Sequence, residues 1–425
     1  MHHRRTTDWK NNSCRQFAAD HFSSFLEINF LEDKDAASIF SGTTDEILLQ
    51  LELKADHPLP PGETLILLDE IQECPAARTA IKFLVEDGRW RYVETGSLPG
   101  VRLEEVKSIP VDYEEIVNMY PLDFEEFLWG SGIQEPVISL LRTSLKEEKA
   151  VPDYIHQQMK KLFLTWMTIG GMPEVCQRFF DNTGLPDCIR LQQIIMRTFD
   201  ADITQYASKS DRVQILDVFR AIPSQLDKQN QRFFISHIKK DARLGRFESS
   251  FAWIITASTA LPCYNLEEPQ IPFRKNEKRN LFRLFLLDTG LLCSSYENIQ
   301  LPLLQGDTAL NWGSILENAA AQSLVSNGFE LYYYSSKKLG EIDFVIQKGQ
   351  TVHLIEMKSS SGYKSHAALN KVQQVENWHF GQSYVFGPDN VKKEDDILYC
   401  PWYLLPFFEK DPLPEFNFEF LNLPG

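Results

Sequence analysis

The sequence predicts an α/β protein of several domains: a parallel-sheet domain first, a helical and winged-helix middle, and a mixed α/β domain last. Three observations support this class. Strand and helix patterns alternate over the first third, long amphipathic helix patterns follow, and a β-hairpin pattern lies near residue 350. The length of 425 residues also exceeds the size at which single cores stop growing, about 250–300 residues.

The alternation in the first third is typical of a parallel sheet with crossover helices. In that architecture ligands bind at the carboxyl ends of strands, which is where Asp69, Glu70 and Ser97 lie. The predicted elements are a helix at 13–22, a strand at 25–30, a helix at 44–53, a strand at 65–68, a helix at 76–86 and a strand at 91–95.

Changes of pattern divide the chain into four predicted segments. Helix patterns at 154–169 and 186–199 flank a Gly-Gly-Met-Pro break and indicate a helical lid or connector. The segments are a parallel-sheet domain at 1–135, the connector at 136–210, a winged-helix-like domain at 211–270, and a mixed α/β domain with a C-terminal extension at 271–425.

Composition favours a cytoplasmic protein with no membrane span. The chain is 43% hydrophobic and 24% charged, and its apolar runs are too short to cross a bilayer. Polar residues follow the basic start, so a secretory signal is not expected. The 7 cysteines are scattered without a Cys-x-x-Cys pair, which is typical of reduced thiols.

The charge pattern predicts a local basic face on an acidic protein. A net charge of -16 argues against coating nucleic acid by bulk attraction. Basic residues over 232–283 could contact DNA phosphates, form a solvated face, or complement the acidic stretch of residues 104–126, and the sequence leaves these alternatives open. These residues are Arg232, Lys239, Lys240, Arg243, Arg246, Arg274, Lys275, Lys278, Arg279 and Arg283.

Asp69 and Glu70 close a buried strand in the positions that magnesium-nucleotide sites use. There the aspartate holds the metal and the next carboxylate polarises the attacking water, while Ser97 on the neighbouring strand could sense the terminal phosphate. The alternative is that Asp69 and Glu70 cap the next helix or face solvent. A phosphate-binding loop is missing ahead of them, because the first glycine is Gly42 and no Gly-Lys dipeptide occurs.

The segments GEIDFVIQ (340–347) and TVHLIEMK (351–358) predict a β-hairpin. A type II′ turn at Gly349 and Gln350 would place Asp343 opposite Glu356 and Glu341 opposite Lys358. One face would then carry charged groups and the other would be buried. The predicted buried residues are Ile342, Phe344, Ile346, Ile355 and Met357.

Neighbouring carboxylates at Asp343 and Glu356 predict a divalent metal site, with Mg²⁺ as the leading candidate. Lys358 would orient or deprotonate a water, or steady the charge that grows on a phosphate. Glu317, on a predicted helix at 312–326, is a further metal ligand or base. The alternative is a set of weak cross-strand pairs on a solvated sheet face.

Four motifs together resemble the bacterial and archaeal AAA-type ATPases joined to a DUF4143 domain: LLDEIQE (67–73), TGSL (95–98), YPLDFEEF (120–127) and GGMPE (170–174). The resemblance implies ATP, with Asp69 and Ser97 at the nucleotide and Glu70 as a catalytic residue. It also implies a Gly-Lys-Thr loop, which residues 1–12 do not match. We therefore expect a truncated, P-loop NTPase-like domain with little ATP turnover, and a truncated or misassigned gene start would explain it.

The Asp343, Glu356 and Lys358 spacing, with Glu317 on the preceding helix, resembles the PD-(D/E)XK nuclease core, to which DUF4143 is similar. This resemblance implies a restriction-endonuclease-like fold, Mg²⁺, DNA as the partner, and Asp343, Glu356 and Lys358 as catalytic residues. A non-catalytic module that binds nucleic acid or protein, and a non-functional gene remnant, are the alternatives. A protein partner or a homo-oligomer is left open.

Overall fold

A computed structural model describes residues 8–96, 113–227, 231–239, 244–307, 311–359 and 366–411. The chain forms two compact units, each built from three stretches of sequence. The first comprises Met1–Tyr120, Ile195–Phe219 and Gly245–Thr259, and the second comprises Pro121–Ile194, Arg220–Leu244 and Ala260–Gly425. Within the described residues, no helix has the length and apolar character needed to span a bilayer.

The first unit contains a parallel three-stranded sheet in the order β1, β2, β3. The central strand β2 is buried at every residue, as its continuous apolar sequence predicts. A capping box between Thr43 and Glu46 starts the second helix, and Gly88, with a φ of 76°, ends the third. The elements are α1 Asp8–His21, β1 Ser24–Asn29, α2 Thr44–Lys54, β2 Thr64–Asp69, α3 Pro75–Asp87 and β3 Arg91–Glu94.

Helices dominate the middle of the chain, as predicted. Two of them match the amphipathic patterns at 154–169 and 186–199, and the second extends further than the pattern did. One division between the compact units falls after Tyr120, and the predicted segment boundaries stay predictions. The helices are α4 Phe124–Gly130, α5 Glu135–Lys146, α6 Asp153–Ile169, α7 Pro173–Phe180, α8 Leu185–Tyr206, α9 Arg212–Leu226 and α10 Glu248–Thr256.

The second unit contains a mixed eight-stranded sheet in the order β10, β11, β9, β8, β7, β6, β4, β5. Its strands are β4 Ala260–Leu266, β5 Glu277–Leu286, β6 Leu331–Ser336, β7 Gly340–Lys348, β8 Thr351–Met357, β9 Ser383–Gly387, β10 Lys392–Glu394 and β11 Ile397–Pro401. Its later helices are α11 Phe273–Asn276, α12 Thr289–Ser294, α13 Gln300–Leu304, α14 Gly313–Ser326 and α15 Ala367–Gln373. The predicted α/β class, with a parallel sheet followed by a mixed sheet, is confirmed.

A buried carboxylate ties two distant segments of the second unit together. Asp288 caps α12 by accepting the Leu291 amide at 2.9 Å, and its other oxygen accepts the Gly171 amide at 2.6 Å. A Cβ on Gly171 or Gly290 would lie within 2.4 Å of backbone atoms, so these positions exclude any side chain. Burial raises the pKa of Asp288 to about 6. We call these contacts the Asp288 lock.

Candidate functional site

Asp69 ends β2 and is held by three neutral side chains. Its Oδ2 accepts hydrogen bonds from Asn11 at 2.7 Å and Asn29 at 2.5 Å, and its Oδ1 accepts one from Thr95 at 2.6 Å. The donors come from α1, the end of β1 and the residue after β3, so the carboxylate joins the first helix to all three strands. Asp69 is only 2% exposed. The predicted place at the carboxyl edge of the sheet is therefore observed, while metal or nucleotide binding there stays a prediction.

Glu70 follows Asp69 in a left-handed backbone conformation, with a φ of 56°. Its side chain is buried and accepts a hydrogen bond from Gln72. Ser97, the predicted phosphate sensor, lies outside the described residues. The catalytic role of Glu70 and the nucleotide role of Ser97 stay predictions.

The hairpin of β7 and β8 has the predicted register. Lys348 pairs with Thr351 and the ladder continues to Phe344 and Ile355, so Asp343 and Glu356 come next in line. Gly349 has a φ of 58°, and Gln350 is not among the described non-glycine residues with positive φ, as a type II′ turn requires.

The hairpin is buried more fully than predicted. The five residues expected inside are buried, but Val345 and Leu354, on the face expected to be charged, are fully buried as well. Both faces of the central strands are covered, as is common where parallel strands enter a sheet. The charged surface is thus restricted to one end of the hairpin.

A β-bulge lies in β7 beside Asp343. Tyr332 of β6 pairs with Val345 and Tyr334 pairs with Ile342, so β7 has one extra residue between these two pairs. Bulges of this kind redirect a side chain, and Asp343 lies inside the bulge. Its Oδ2 accepts the Met357 amide at 2.7 Å, which ties the bulge to the end of β8.

Glu356 and Lys358 form an ion pair at this end of the sheet. Lys358 Nζ lies 2.6 Å from Glu356 Oε2, while Glu356 Oε1 is buried and has no hydrogen-bond partner within the described part of the chain. The pKa of Glu356 is raised to about 8, first by burial and then by the Asp343 carboxylate. Burial lowers the pKa of Lys358, but Asp343 and Glu356 outweigh it and the net pKa is raised. The three predicted catalytic groups therefore interact.

The predicted partner of Glu341 in the hairpin is wrong. It was expected opposite Lys358, but β8 ends at Met357 and Glu341 pairs with Ser335 of β6. Its carboxylate forms an ion pair with Arg283 instead. The bulge changes the alternation of β7, so the register of the turn alone does not fix the partner of Glu341.

Arg283 on β5 is a member of this network that sequence reasoning missed. Its guanidinium lies 3.4 Å from Glu317 Oε2 and 4.3 Å from the centre of the Tyr333 ring, and its side chain is 1% exposed. Arg283 belongs to the basic stretch 232–283, for which a DNA-binding face is one interpretation. Its position inside the apolar run Leu281-Phe282-Arg283-Leu284-Phe285-Leu286 is the signal that could have identified it as buried.

Glu317 on α14 joins the same network. Its Oε1 accepts a hydrogen bond from Gln231 at 3.0 Å, and its Oε2 faces Arg283. The pKa of Glu317 is raised to about 8, first by burial and then by the Asp343 carboxylate, with Arg283 opposing. Among the described residues, no three His, Cys, Asp or Glu side chains are placed so as to hold a metal ion. The four carboxylates of this network meet two cations, Arg283 and Lys358.

The basic residues over 232–283 do not share one environment. Arg274, Lys278 and Arg279 pair with the acids Glu330, Glu267 and Glu277 on the same unit. Lys240 and Arg243 lie outside the described residues. A DNA-binding role for this stretch stays a prediction.

These features define a multidomain protein that joins a parallel-sheet domain to a C-terminal mixed sheet carrying a carboxylate and lysine cluster. Family models give these parts names. Residues 10–128 match the AAA domain, residues 160–301 match a domain of unknown function, DUF8612, and residues 312–405 match another, DUF4143. The chain thus carries an ATPase-like AAA domain and a C-terminal DUF4143 domain, as the motifs predicted.

Curated relatives match only a short part of the chain. A UPF0102 protein of Aliarcobacter butzleri is 37% identical over 62 residues, which is 14% of this chain and 54% of the relative. A UPF0102 protein of Campylobacter fetus subsp. fetus is 41% identical over 59 residues, which is 14% of this chain and 51% of the relative. The chain spans about half the length of the curated relatives it matches.

A solved structure of an ATPase is similar at low identity. A Walker-type ATPase of Pyrococcus abyssi is 13% identical, and the alignment covers 66% of this chain and 74% of that chain with a TM-score of 0.35.

Proposed function

We propose that the second unit binds a divalent cation at Asp343 and Glu356 and hydrolyses phosphodiester bonds in DNA. The observation that carries this proposal is the buried Glu356 Oε1, which has no hydrogen-bond partner among the described residues and belongs to a carboxylate that Asp343 repels. A buried acceptor without a partner costs about 1–3 kcal/mol, and a cation would offset that cost.

The ligand types suit a hard cation. Carboxylate oxygens are preferred by Mg²⁺ and Mn²⁺, and Mg²⁺ usually keeps several waters and is held by one or two carboxylates. Asp343 and Glu356 supply two carboxylates, so the remaining positions would be filled by water and by substrate phosphate. When bound, the ion would lower the pKa of a water and neutralise phosphate charge.

Lys358 would act on the phosphate rather than on the water. Its raised pKa keeps it protonated at neutral pH, so it cannot accept a proton but can steady the negative charge of the transition state. In the reaction a water oxygen bonds to phosphorus and the bond to the leaving nucleotide oxygen breaks. The water gives its proton to solvent, and the leaving oxygen takes one from solvent.

A cleavage assay on single-stranded, double-stranded and branched DNA with Mg²⁺ or Mn²⁺ tests this function. Because each removed group acts in the transition state, Asp343→Ala and Lys358→Ala should lose activity by about 100-fold or more. Lys393→Ala is the control, because this lysine pairs with Glu148 elsewhere on the same unit. Equal activity in all four proteins would indicate contamination and would contradict the proposal.

The second candidate function is a non-catalytic module that binds nucleic acid or protein. Arg283 and Lys358 already neutralise carboxylates of this network, which favours a structural role for the cluster. Such a module would bind DNA in a gel-shift assay without cleaving it, and Asp343→Ala would leave that binding unchanged. No cleavage by the wild type on any DNA form with either metal would favour this candidate.

For the first unit we propose little or no ATP turnover. An ATPase-like domain generally implies a nucleotide and Mg²⁺, but no Gly-Lys dipeptide is present to supply a phosphate-binding loop. The oxygens of Asp69 already accept hydrogen bonds from Asn11, Asn29 and Thr95. Isothermal titration with Mg-ATP tests this, and binding at micromolar concentrations would contradict it.

A further inference from the structure

Arg283 is a permanent positive charge inside the second unit. Its side chain is 1% exposed, and it lies on β5 between apolar neighbours. A guanidinium stays protonated in proteins, so Arg283 cannot reduce its burial cost by losing a proton. It must therefore be paired, and the only groups that can balance it fully are carboxylates.

Two carboxylates balance it. Glu317, from α14, faces the guanidinium at 3.4 Å, and Glu341, from β7, forms an ion pair with it. The Tyr333 ring lies against the guanidinium with its centre at 4.3 Å. The helix and two strands of the sheet are thus joined through one buried cation.

The carboxylates of the network differ in how completely protein groups satisfy them. Glu317 has Gln231 on Oε1 and Arg283 on Oε2. Glu356 has Lys358 on Oε2, but its Oε1 has no hydrogen-bond partner in the described ranges. An added cation would therefore gain more from Glu356 than from Glu317.

We propose that Arg283 is the fixed counter-ion of Glu317 and Glu341, which leaves Asp343 and Glu356 as the carboxylates of this network that are open to an added cation. The second half of this statement rests on the proposed function. Arg283 is thus a positioning residue, because it keeps Glu317 and Glu341 in place without contacting substrate.

A charge cycle tests the role of Arg283 without any metal. Arg283→Gln leaves Glu317, 14% exposed, and Glu341, 35% exposed, without their counter-ion and should lower the Tm of the second unit by about 5 °C. The triple variant with Glu317→Gln and Glu341→Gln removes the whole charge set and should regain at least half of that loss. A triple variant as unstable as the single one, or less stable, would overturn the proposal, because the role of Arg283 would then be packing against Tyr333.

Cation uptake gives a second measurement. With Arg283 removed, Glu317 and Glu341 need a new cation, so millimolar Mn²⁺ should restore about half of the Tm lost by Arg283→Gln, beyond any rise that it causes in wild type. If that variant folds only with Mn²⁺ present, the proposal is supported equally. The added change Glu317→Gln should reduce the Mn²⁺ effect to that seen in wild type, and an undiminished effect would contradict the proposal.

Arg142 provides the matched control. It also pairs with two carboxylates of the second unit, Glu125 and Glu409, but its side chain is 40% exposed. Arg142→Gln should show no Mn²⁺-dependent rise in Tm beyond that of wild type, because Glu409 is 61% exposed and solvated by water, which leaves Glu125, 15% exposed, as a single freed acid. A rise equal to that of Arg283→Gln would show non-specific metal binding and would overturn the proposal.

The two proposals fail in different ways. If wild type gains no stability from Mn²⁺ and cuts no DNA, the proposed function fails, yet the charge cycle at Arg283 still decides the counter-ion role. Within a functional enzyme, Glu317→Gln should weaken Mn²⁺ affinity far less than Asp343→Asn does. Equal losses in both variants would show that Glu317 is a metal ligand and would contradict this inference.

Discussion

The two acidic sites of this protein stabilise their carboxylates by different means. At Asp69 three uncharged side chains, Asn11, Asn29 and Thr95, donate hydrogen bonds to one carboxylate. At the end of the eight-stranded sheet, Arg283 and Lys358 are the two cations that, among the described residues, face the four carboxylates Glu317, Glu341, Asp343 and Glu356. The first site is satisfied by hydrogen bonds, while the second has more acid than base.

This difference makes the second site the stronger candidate for binding a cation. A buried carboxylate with enough donors gains little from a metal ion, because binding the ion would break good hydrogen bonds. Carboxylates that repel one another show raised pKa values and gain from any cation that enters. Position at the edge of a sheet, which the two sites share, does not distinguish them.

The largest effect should come from removing Asp69. Asp69→Ala leaves three side-chain donors without their acceptor and should lower the free energy of unfolding of the first unit by about 3 kcal/mol. Asp343→Ala, in a crowded acidic network, should cost the second unit about 1 kcal/mol or less. Urea unfolding followed by hydrogen exchange in each unit measures both, with the exposed Asp45→Ala as control. An equal loss in the free energy of unfolding for Asp69→Ala and Asp343→Ala would contradict the proposed difference between the two sites.

The second unit should lose stability as the pH rises. The folded pKa of Glu317 and of Glu356 is about 8, above the ordinary 4.5, so the folded state holds protons that the unfolded chain releases. The free energy of unfolding therefore falls as the pH rises from about 5 to about 8 and levels off above that. Urea unfolding at pH 6, 7 and 9 measures the slope, which Glu356→Gln should reduce. A stability that increases over this range would contradict the raised pKa values.

Gln231 should make a smaller contribution. Gln231→Ala removes the hydrogen bond to Glu317 Oε1 and should lower the free energy of unfolding by about 1 kcal/mol. Gln231→Glu, which places a third carboxylate near Arg283, should cost more than the alanine change. The same urea titration measures both variants, and the reverse order would show that the network has spare positive charge.

Surface ion pairs should matter least, and equally in both units. Arg15 pairs with Glu27 at 2.7 Å in the first unit, and Arg274 pairs with Glu330 at 2.8 Å in the second. Arg15→Ala and Arg274→Ala should each change the free energy of unfolding by less than about half of what Gln231→Ala costs, because water screens these charges. A cost above that of Gln231→Ala at either site would mean that exposure does not separate strong pairs from weak ones.

Local sequence patterns predicted these elements because turn geometry and burial pattern depend mainly on neighbouring residues. The turn at Gly349 and Gln350 fixed the register of β7 and β8, since glycine tolerates the positive φ of a type II′ turn. Likewise, the continuous apolar run of β2 predicted a strand buried on both faces. The residue type in the turn was enough to predict the register of β7 and β8, and the apolar run was enough to predict the burial of β2.

The partners of the acids could not be predicted in the same way. Asn11 lies 58 residues from Asp69, and Arg283 lies 34 residues from Glu317, so these contacts depend on how elements pack rather than on local spacing. The bulge in β7, which changes the partner of Glu341, depends on the neighbouring strand β6. The charged residues were visible in the sequence, but their pairing was not.

The Asp288 lock constrains how this protein can be recombined with its relatives. Gly171 and Asp288 are 117 residues apart in sequence, yet one carboxylate oxygen bridges them. Gly170 and Gly290 leave no room for a side chain against Asp288 or the backbone of Ile169. A chimera that takes one of these segments from another parent must therefore take the other as well, so crossover points between them should be chosen in pairs.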